Sequence, residues 1–78
     1  MMYAIAIHNL FDCKNTLFIL LATDEVDAAK KALIEVCPEN YRDDAYKTWV
    51  AGLGETWEEV WSGAINSEYV ISNPIKLS

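Results

Sequence analysis

The side chains that could carry out chemistry in this sequence are few and widely spaced. There is one histidine, His8, and there are two cysteines, Cys13 and Cys37. Their spacing fits no zinc pattern, and no second imidazole is present to complete a metal site. Catalysis by a cysteine–histidine pair would also need a third group to orient the imidazole. We therefore expect no metal, no cofactor and no catalytic residue among them, with both cysteines reduced.

Two pairs of adjacent acids, Asp43–Asp44 and Glu58–Glu59, are the other groups that could act together. Neighbouring residues on a helix point about 100° apart, so such a pair cannot form a catalytic carboxylate dyad. The segment at residues 52–54, Gly-Leu-Gly, lacks the length and the following lysine of a phosphate-binding loop. The sequence thus predicts a binding protein rather than an enzyme.

The charge balance limits what such a protein would bind. Twelve acidic residues oppose six basic ones, and the net charge is −6 over 78 residues. Proteins that bind nucleic acid or anionic membranes are normally basic, so we expect neither partner. Residues 24–68 hold eleven of the acids. An acidic surface of this kind favours approach to a basic protein, although it also serves solubility.

The elements that must position these residues begin with a hairpin. Residues 3–8 alternate, with Tyr3, Ile5 and Ile7 on one face and two alanines and His8 on the other. This period of two predicts a strand. Residues 9–15 have turn chemistry. The apolar run at residues 16–22 predicts a second, buried strand, joined to the first by a loop of about six residues.

Three helical segments follow the hairpin. Thr23 or Asp24 can cap the first, which Pro38 ends because the residue before a proline is disfavoured in helical geometry. A second helix is predicted over residues 41–51, where Tyr41, Ala45 and Trp49 recur at helical spacing and should pack against the first helix. From Thr56 a capping-box pattern predicts a short third helix to about residue 62, with a stop at the glycine that follows.

The C-terminal part predicts strand structure at residues 68–72 and again at residues 75–77. Asn73 and Pro74 break the strand, so we expect Ser72 and Asn73 at a turn with exposed side chains. The fold class is therefore α+β: a small antiparallel sheet, made of the N-terminal hairpin plus the C-terminal strand or strands, with two to three helices on one side. A chain of this length suits one domain, residues 1–78. We see no basic segment typical of a signal peptide at the N-terminus and no apolar run long enough to span a membrane, so we expect a cytoplasmic protein.

One stretch resembles a known family. A Cys37–Pro38 pair ends the first helix, Asp43 and Asp44 follow, and Trp49 lies on the second helix. This order, after a strand hairpin with a cysteine in its turn, resembles the small type II-C anti-CRISPR proteins of phages and mobile elements that inhibit the HNH nuclease domain of the CRISPR effector. The resemblance covers roughly residues 3–53.

The resemblance implies a protein that binds the HNH active site, blocks cleavage and leaves target DNA binding possible. The family's blocking residues are a Ser-Cys pair near the C-terminus, and the best match here is Ser72 with Asn73. An asparagine in the cysteine position can still exchange hydrogen bonds with a catalytic His or Asp. The other implied contacts are Asp12 and Cys13 in the hairpin turn, and Asp43 and Asp44.

Two other functions are compatible with the same residues. An acidic chain can act as a DNA mimic that inhibits another nucleic-acid enzyme, and a small chain with three tryptophans can be an adaptor that completes its core by self-association. We expect a monomer rather than a dimer. Trp57, Trp61 and Tyr69 are candidate interface anchors, but for each of them we favour a place in the hydrophobic core over one at an interface.

Overall fold

Four strands form one antiparallel sheet, and β1 (Met2–Asn9) is its central strand. β2 (Lys14–Leu21) pairs with one side of β1 over its whole length. β3 (Tyr69–Ile71) and β4 (Ile75–Lys76) pair with the other side of β1, one after the other. The structure, a computed structural model, describes all 78 residues. The loop of the hairpin is residues 10–13, shorter than the sequence predicted, because both strands extend further into the polar segment.

The helices all lie on one side of this sheet, which confirms the α+β class. α1 (Glu25–Val36) and α3 (Trp57–Asn66) pack against the strands, and α2 (Asp44–Ala51) packs on α1. A single 3-10 turn (Glu39–Tyr41) connects α1 to α2.

α1 begins where the sequence predicted. The side chain of Asp24 accepts a hydrogen bond of 2.8 Å from the backbone N–H of Asp27, and this caps the helix. Alanines 28, 29 and 32 are fully buried, so small side chains bring the helix backbone close to the sheet. Cys37 follows with extended geometry before Pro38, as expected of a residue that precedes proline.

α2 begins later than predicted. Asp43 is its N-cap and accepts a hydrogen bond of 2.8 Å from the N–H of Tyr46, so the helix starts at Asp44 rather than at residue 41. Tyr41 lies in the 3-10 turn and is 66% exposed. The row Tyr41–Ala45–Trp49 is therefore not the buried one. Val50 is the buried residue of α2, and its neighbours Tyr46 and Trp49 are half-buried against the core.

α3 ends later than predicted. Thr56 caps it, as the sequence indicated: its hydroxyl accepts from the N–H of Glu59 and donates to the Glu59 carboxylate. Gly63 does not end the helix, which continues to Asn66. A Cβ at position 63 would overlap the side chain of Leu53, so this glycine allows close packing rather than a helix stop.

The main hydrophobic core lies between the sheet and the helices. Its largest fully buried side chains come from β1, α1 and α3: Ile5, Ile7, Leu33 and Val60. β2 contributes only Phe18 and Leu20, both partly buried. Its alternate residues Leu17, Ile19 and Leu21 are exposed. The prediction of a buried strand at residues 16–22 was thus wrong, because no layer covers the other side of the sheet.

Candidate functional site

Ser72 and Asn73 lie in a β-bulge, not in a turn. Ile71 pairs with Ile7 and Ile75 pairs with Ala4, so three residues of the C-terminal segment stand opposite two residues of β1. One extra residue of this kind defines a bulge. The chain does not reverse at residues 72–74 as a turn would, but continues along the same edge of β1. Bulges re-aim side chains, and they are common beside functional sites.

The two side chains in the bulge differ in what holds them. The N–H of Ser72 donates to the carbonyl of Ala6 at 2.9 Å, and the Ser72 Oγ accepts from the N–H of Ala6, also at 2.9 Å. The serine hydroxyl therefore replaces a backbone carbonyl in the sheet. Asn73 is exposed, and its amide makes no hydrogen bond within the protein, while Pro74 beside it is buried. The geometry leaves Asn73 free to bind a partner and fixes the backbone on both sides.

Asp12 and Cys13 lie in the hairpin loop, at one end of the sheet. The Asp12 carboxylate accepts a hydrogen bond of 3.0 Å from the N–H of Lys14, and Asn9 makes the same kind of local bond to the N–H of Phe11. Cys13 is exposed and has a φ of 60°, a left-handed conformation that non-glycine residues seldom adopt. These bonds define the shape of the loop, and they leave the Cys13 thiol accessible.

Cys37, Asp43 and Asp44 surround the junction between α1 and α2. Arg42 holds this junction together: its Nε donates to the carbonyl of Cys37 at 2.6 Å and its guanidinium also donates to the carbonyl of Glu35 at 2.9 Å. These are carbonyls at the end of α1 that lack helical partners. Asp43 is the cap of α2, so two of the residues that carry the resemblance, Cys37 and Asp43, have structural roles here. Asp44 is exposed.

A cluster of half-buried Tyr46 and Tyr69 with the buried Cys37 supports this junction. The hydroxyl of Tyr46 donates to the carbonyl of Leu33. Burial raises the pKa of the Tyr46 hydroxyl far above its ordinary value, and burial likewise raises the pKa values of Tyr69 and of the Cys37 thiol. All three groups are therefore neutral at physiological pH. A protonated, buried thiol is a packing group and not a nucleophile.

The predicted site residues do not converge on one site. Asp12 lines a cleft of about 200 Å³ together with Tyr69 and Pro38. Ser72 and Asn73 lie further along the β3–β4 edge, while Asp43 caps α2 at the helix junction and Asp44 is the exposed first residue of that helix. The only histidine, His8, is hydrogen-bonded to Asn15 at 2.7 Å on the side of the sheet without helices. No group of three or more His, Cys, Asp or Glu side chains could hold a metal ion.

Sequence reasoning missed an extended exposed apolar surface. The register puts one set of side chains on the side of the sheet opposite the helices, and we call this surface the outer face. Its members are Met2, Ala4, Ala6, His8, Asn15, Leu17, Ile19, Leu21, Val70, Ser72, Ile75 and Leu77. The signal was available in β1, where small or polar residues alternate with Tyr3, Ile5 and Ile7. A strand with only one large apolar face indicates a sheet covered on one side.

The helices are too short and too polar for any of them to cross a membrane. Comparisons of this chain with models of protein families, with curated proteins and with solved structures found no match.

Proposed function

We propose that this protein is a phage- or mobile-element-encoded inhibitor that binds the HNH nuclease domain of a type II CRISPR effector in the host cytoplasm and blocks DNA cleavage. The observation that carries the proposal is the bulge at residues 72–74. It presents Ser72 and Asn73 side by side at an exposed edge, at the place where the resembling family has its blocking pair. Hydrogen bonds of β1 and the buried Pro74 fix the backbone there.

A fixed backbone suits inhibition of an active site. A binding segment that is already ordered loses little conformational freedom when it docks, so more of the contact energy appears as affinity. The Asn73 amide can donate and accept at the same time, which suits a site that contains a histidine and a carboxylate. The Ser72 hydroxyl keeps its own proton for a partner, because it only accepts from Ala6.

The charge distribution supports the same kind of partner. Nuclease surfaces that hold DNA are basic, and a ligand of net charge −6 gains association rate by electrostatic steering. The acids do not lie beside Ser72 on the outer face. The charge would therefore attract the nuclease over long range, while Ser72 and Asn73 make the specific contacts.

The test is a cleavage titration with Asn73→Ala. Loss of hydrogen bonds to charged catalytic groups weakens binding by about ten- to a hundred-fold, so we expect inhibition of cleavage to weaken to that extent with an unchanged thermal melt. Asn66→Ala is the matched control, since Asn66 is also exposed but lies at the end of α3. Unchanged inhibition by Asn73→Ala, with complex formation intact, would remove the bulge from the mechanism.

Ser72→Ala tests the partner contact less selectively than Asn73→Ala does. It removes the acceptor for the N–H of Ala6, so it should lower stability by about 1 kcal/mol as well as weaken inhibition. For this reason its inhibition should be measured well below its melting temperature.

A DNA mimic is the second candidate, because the acids are segregated onto the helix side of the molecule. A mimic would bind through charge alone, so inhibition would fall steeply with salt and would not depend on Asn73. Mixing the protein with an isolated HNH domain distinguishes the site-blocking inhibitor from the DNA mimic. The site-blocking inhibitor forms a 1:1 complex with the domain at about 150 mM salt. At this concentration exposed charges more than about 8 Å apart are screened, so binding by charge alone is weakened.

A further inference from the structure

One edge of the sheet has no partner. β2 is bonded to β1 on one side, and no strand pairs with its other side. Met1 and Ala22 continue the register of the hairpin, and the N–H of Ala22 donates to the carbonyl of Met1 at 2.9 Å. Because hydrogen-bonded pairs alternate along an antiparallel ladder, the even-numbered residues of β2 bond to β1. Asn15, Leu17 and Ile19 therefore direct their N–H and carbonyl groups away from the sheet, and we call this row of backbone groups the free edge.

A lysine shows that carbonyls on this side of β2 attract donors. The carbonyl of Leu21 points the same way as those of the free edge, and the Lys31 Nζ donates to it at 3.0 Å. Leu17 and Ile19 lie further along the strand, and no side chain of the protein bonds to their backbone groups. A row of unbonded backbone groups is a template for another strand.

The two edges of the sheet are protected to different degrees. Natural proteins block exposed edges with short strands, bulges, prolines and charges. The opposite edge has three of these: β3 and β4 are three and two residues long, with a bulge and Pro74 between them. β2 is eight residues long, its register with β1 is unbroken, and Lys14 at its start is its one charged residue. An edge left open in this way suits the addition of a strand.

A groove beside the free edge has room for the side chains of an added strand. It has a volume of about 480 Å³ and lies between β2 and α1. Phe18 and Leu20 line it from the inner face of β2, and Ile34 lines it from α1. Lys31 and Glu35 lie on the same side of the helix as Ile34 and add one charge of each sign. Since side chains alternate along a strand, an extended segment beside β2 would place every second one in this groove.

We propose that the free edge binds an extended peptide segment of another protein as a fifth, antiparallel strand, whose alternate apolar side chains enter the groove beside α1. Antiparallel pairing continues the pattern of the sheet and is the more stable per residue. The net charge of −6 and the exposed Glu35 favour a segment with basic residues, whereas a second copy of this chain would bring the same negative charge.

The free edge and the bulge at residues 72–74 lie on opposite sides of β1. This peptide site is therefore separate from Ser72 and Asn73, and the proposal does not depend on the proposed function.

The probe is a synthetic peptide with blocked ends, Lys-Thr-Val-Thr-Val-Thr-Lys, titrated to about 1 mM so that weak binding is detected. In the antiparallel pairing its valines lie opposite Phe18 and Leu20 at the groove, and its threonine amides face the free edge. Amide hydrogen exchange followed by NMR is the measurement. We expect the peptide to slow exchange of the Leu17 and Ile19 N–H groups about ten-fold. The N–H groups of Phe18 and Leu20 bond to β1 and should exchange slowly without it.

Two peptides that differ only in the position of an N-methyl group separate strand pairing from simple groove binding. N-methylation of the central threonine removes a donor that faces the free edge, and it should weaken binding about ten-fold. N-methylation of a valine blocks an amide that faces away from β2, so it should leave binding nearly unchanged.

Leu17→Pro and Leu17→Ala form the corresponding pair in the protein. Both remove the leucine side chain, but only proline removes the outward N–H, and proline is tolerated at such edge positions. We expect Leu17→Pro to weaken binding about ten-fold and Leu17→Ala to bind as the parent does. If Leu17→Pro does not fold, the two N-methylated peptides make the same test on the parent protein.

Three results would overturn the proposal. The first is no binding at about 1 mM peptide. The second is equal binding of the two N-methylated peptides, which would mean groove binding without strand addition. The third is slow exchange at Leu17 and Ile19 in the protein alone that becomes stronger as its concentration rises, which would mean that a second copy occupies the free edge. Because no nuclease is present, the result is independent of whether the protein inhibits one.

Discussion

The two faces of the sheet are built from the same strands but have opposite surroundings. On the inner face, Tyr3, Ile5 and Ile7 of β1 are at most 4% exposed beneath α1 and α3. On the outer face, β1 contributes Met2, two alanines and a histidine, while large aliphatic side chains stand exposed on the flanking strands. The comparison shows that apolar content does not determine which residues form the core. Burial follows from where the helices pack, and the uncovered apolar residues remain available for binding.

The largest expected effect compares two isoleucines on opposite faces. Ile5→Ala leaves a cavity beneath the helices and should lower the free energy of unfolding by about 2–5 kcal/mol, enough to unfold much of a domain this small. Ile19→Ala, 54% exposed, should change it by no more than about 1 kcal/mol. Urea unfolding of both variants beside the parent measures these losses. Equal losses would mean that the outer face is covered within the monomer.

A second pair tests burial within the helix layer. Trp49 is half-buried against the core and its ring lies 5.5 Å from that of Tyr46, whereas Tyr41 is 66% exposed. Trp49→Ala should cost about 2 kcal/mol, less than the 3–5 kcal/mol of a fully buried tryptophan. Tyr41→Ala should cost less than about 0.5 kcal/mol.

Thermal melts of these two variants decide the register of α2. If Tyr41→Ala were the more destabilising change, the row at residues 41, 45 and 49 would be the buried one, as the sequence suggested.

Much of the fold could be predicted from local sequence, because local signals produced it. The alternation in β1, the caps at Asp24 and Thr56 and the stop at Pro38 act within a few residues, and each is present in the structure. The features that the sequence predicted wrongly depend on contacts between residues that are far apart in the sequence. Gly63 has its role only because Leu53 packs against it, and no property of residue 63 alone indicates this.

The candidate site was harder to predict for the same reason. Ser72 and Asn73 were expected in a turn, because Asn-Pro is turn chemistry. The bulge exists because β3 and β4 pair with the same edge of β1 in registers that differ by one residue. The outer face, in turn, depends on where three helices pack. Periodicity shows that β1 has one large apolar face, but an apolar run such as β2 does not show which side is covered.

A smaller effect is expected at the cap of α2. Asp43→Ala removes the acceptor for the N–H of Tyr46 and should cost about 1 kcal/mol. Asp44→Ala is the matched control, since it removes an exposed neighbouring carboxylate and should cost less than about 0.5 kcal/mol. Thermal melts measure both, and equal losses would assign the effect to charge rather than to capping. Any effect of Asp43→Ala on inhibition should be measured below its melting temperature, so that a fold defect is not taken for a lost contact.

The smallest expected effect concerns pH, and it also distinguishes the two faces. On the helix side, the backbone N–H of Thr23 donates to the Asp27 carboxylate at 2.9 Å, and the Lys31 Nζ lies 3.2 Å from the same carboxylate. These contacts lower the pKa of Asp27 below its ordinary value. A carboxyl whose pKa is lower in the folded state stabilises the fold above its unfolded pKa, and this contribution is lost as the pH falls through the folded pKa. Because the pair lies at the surface, its contribution should be less than about 1 kcal/mol. Asp27→Asn should therefore lower the melting temperature slightly at pH 7, and the difference from the parent should shrink below about pH 4, where an unperturbed Asp takes up its proton. A difference that stays constant down to pH 2 would mean that the Asp27 charge contributes nothing and that the loss comes from the change of carboxyl to amide itself.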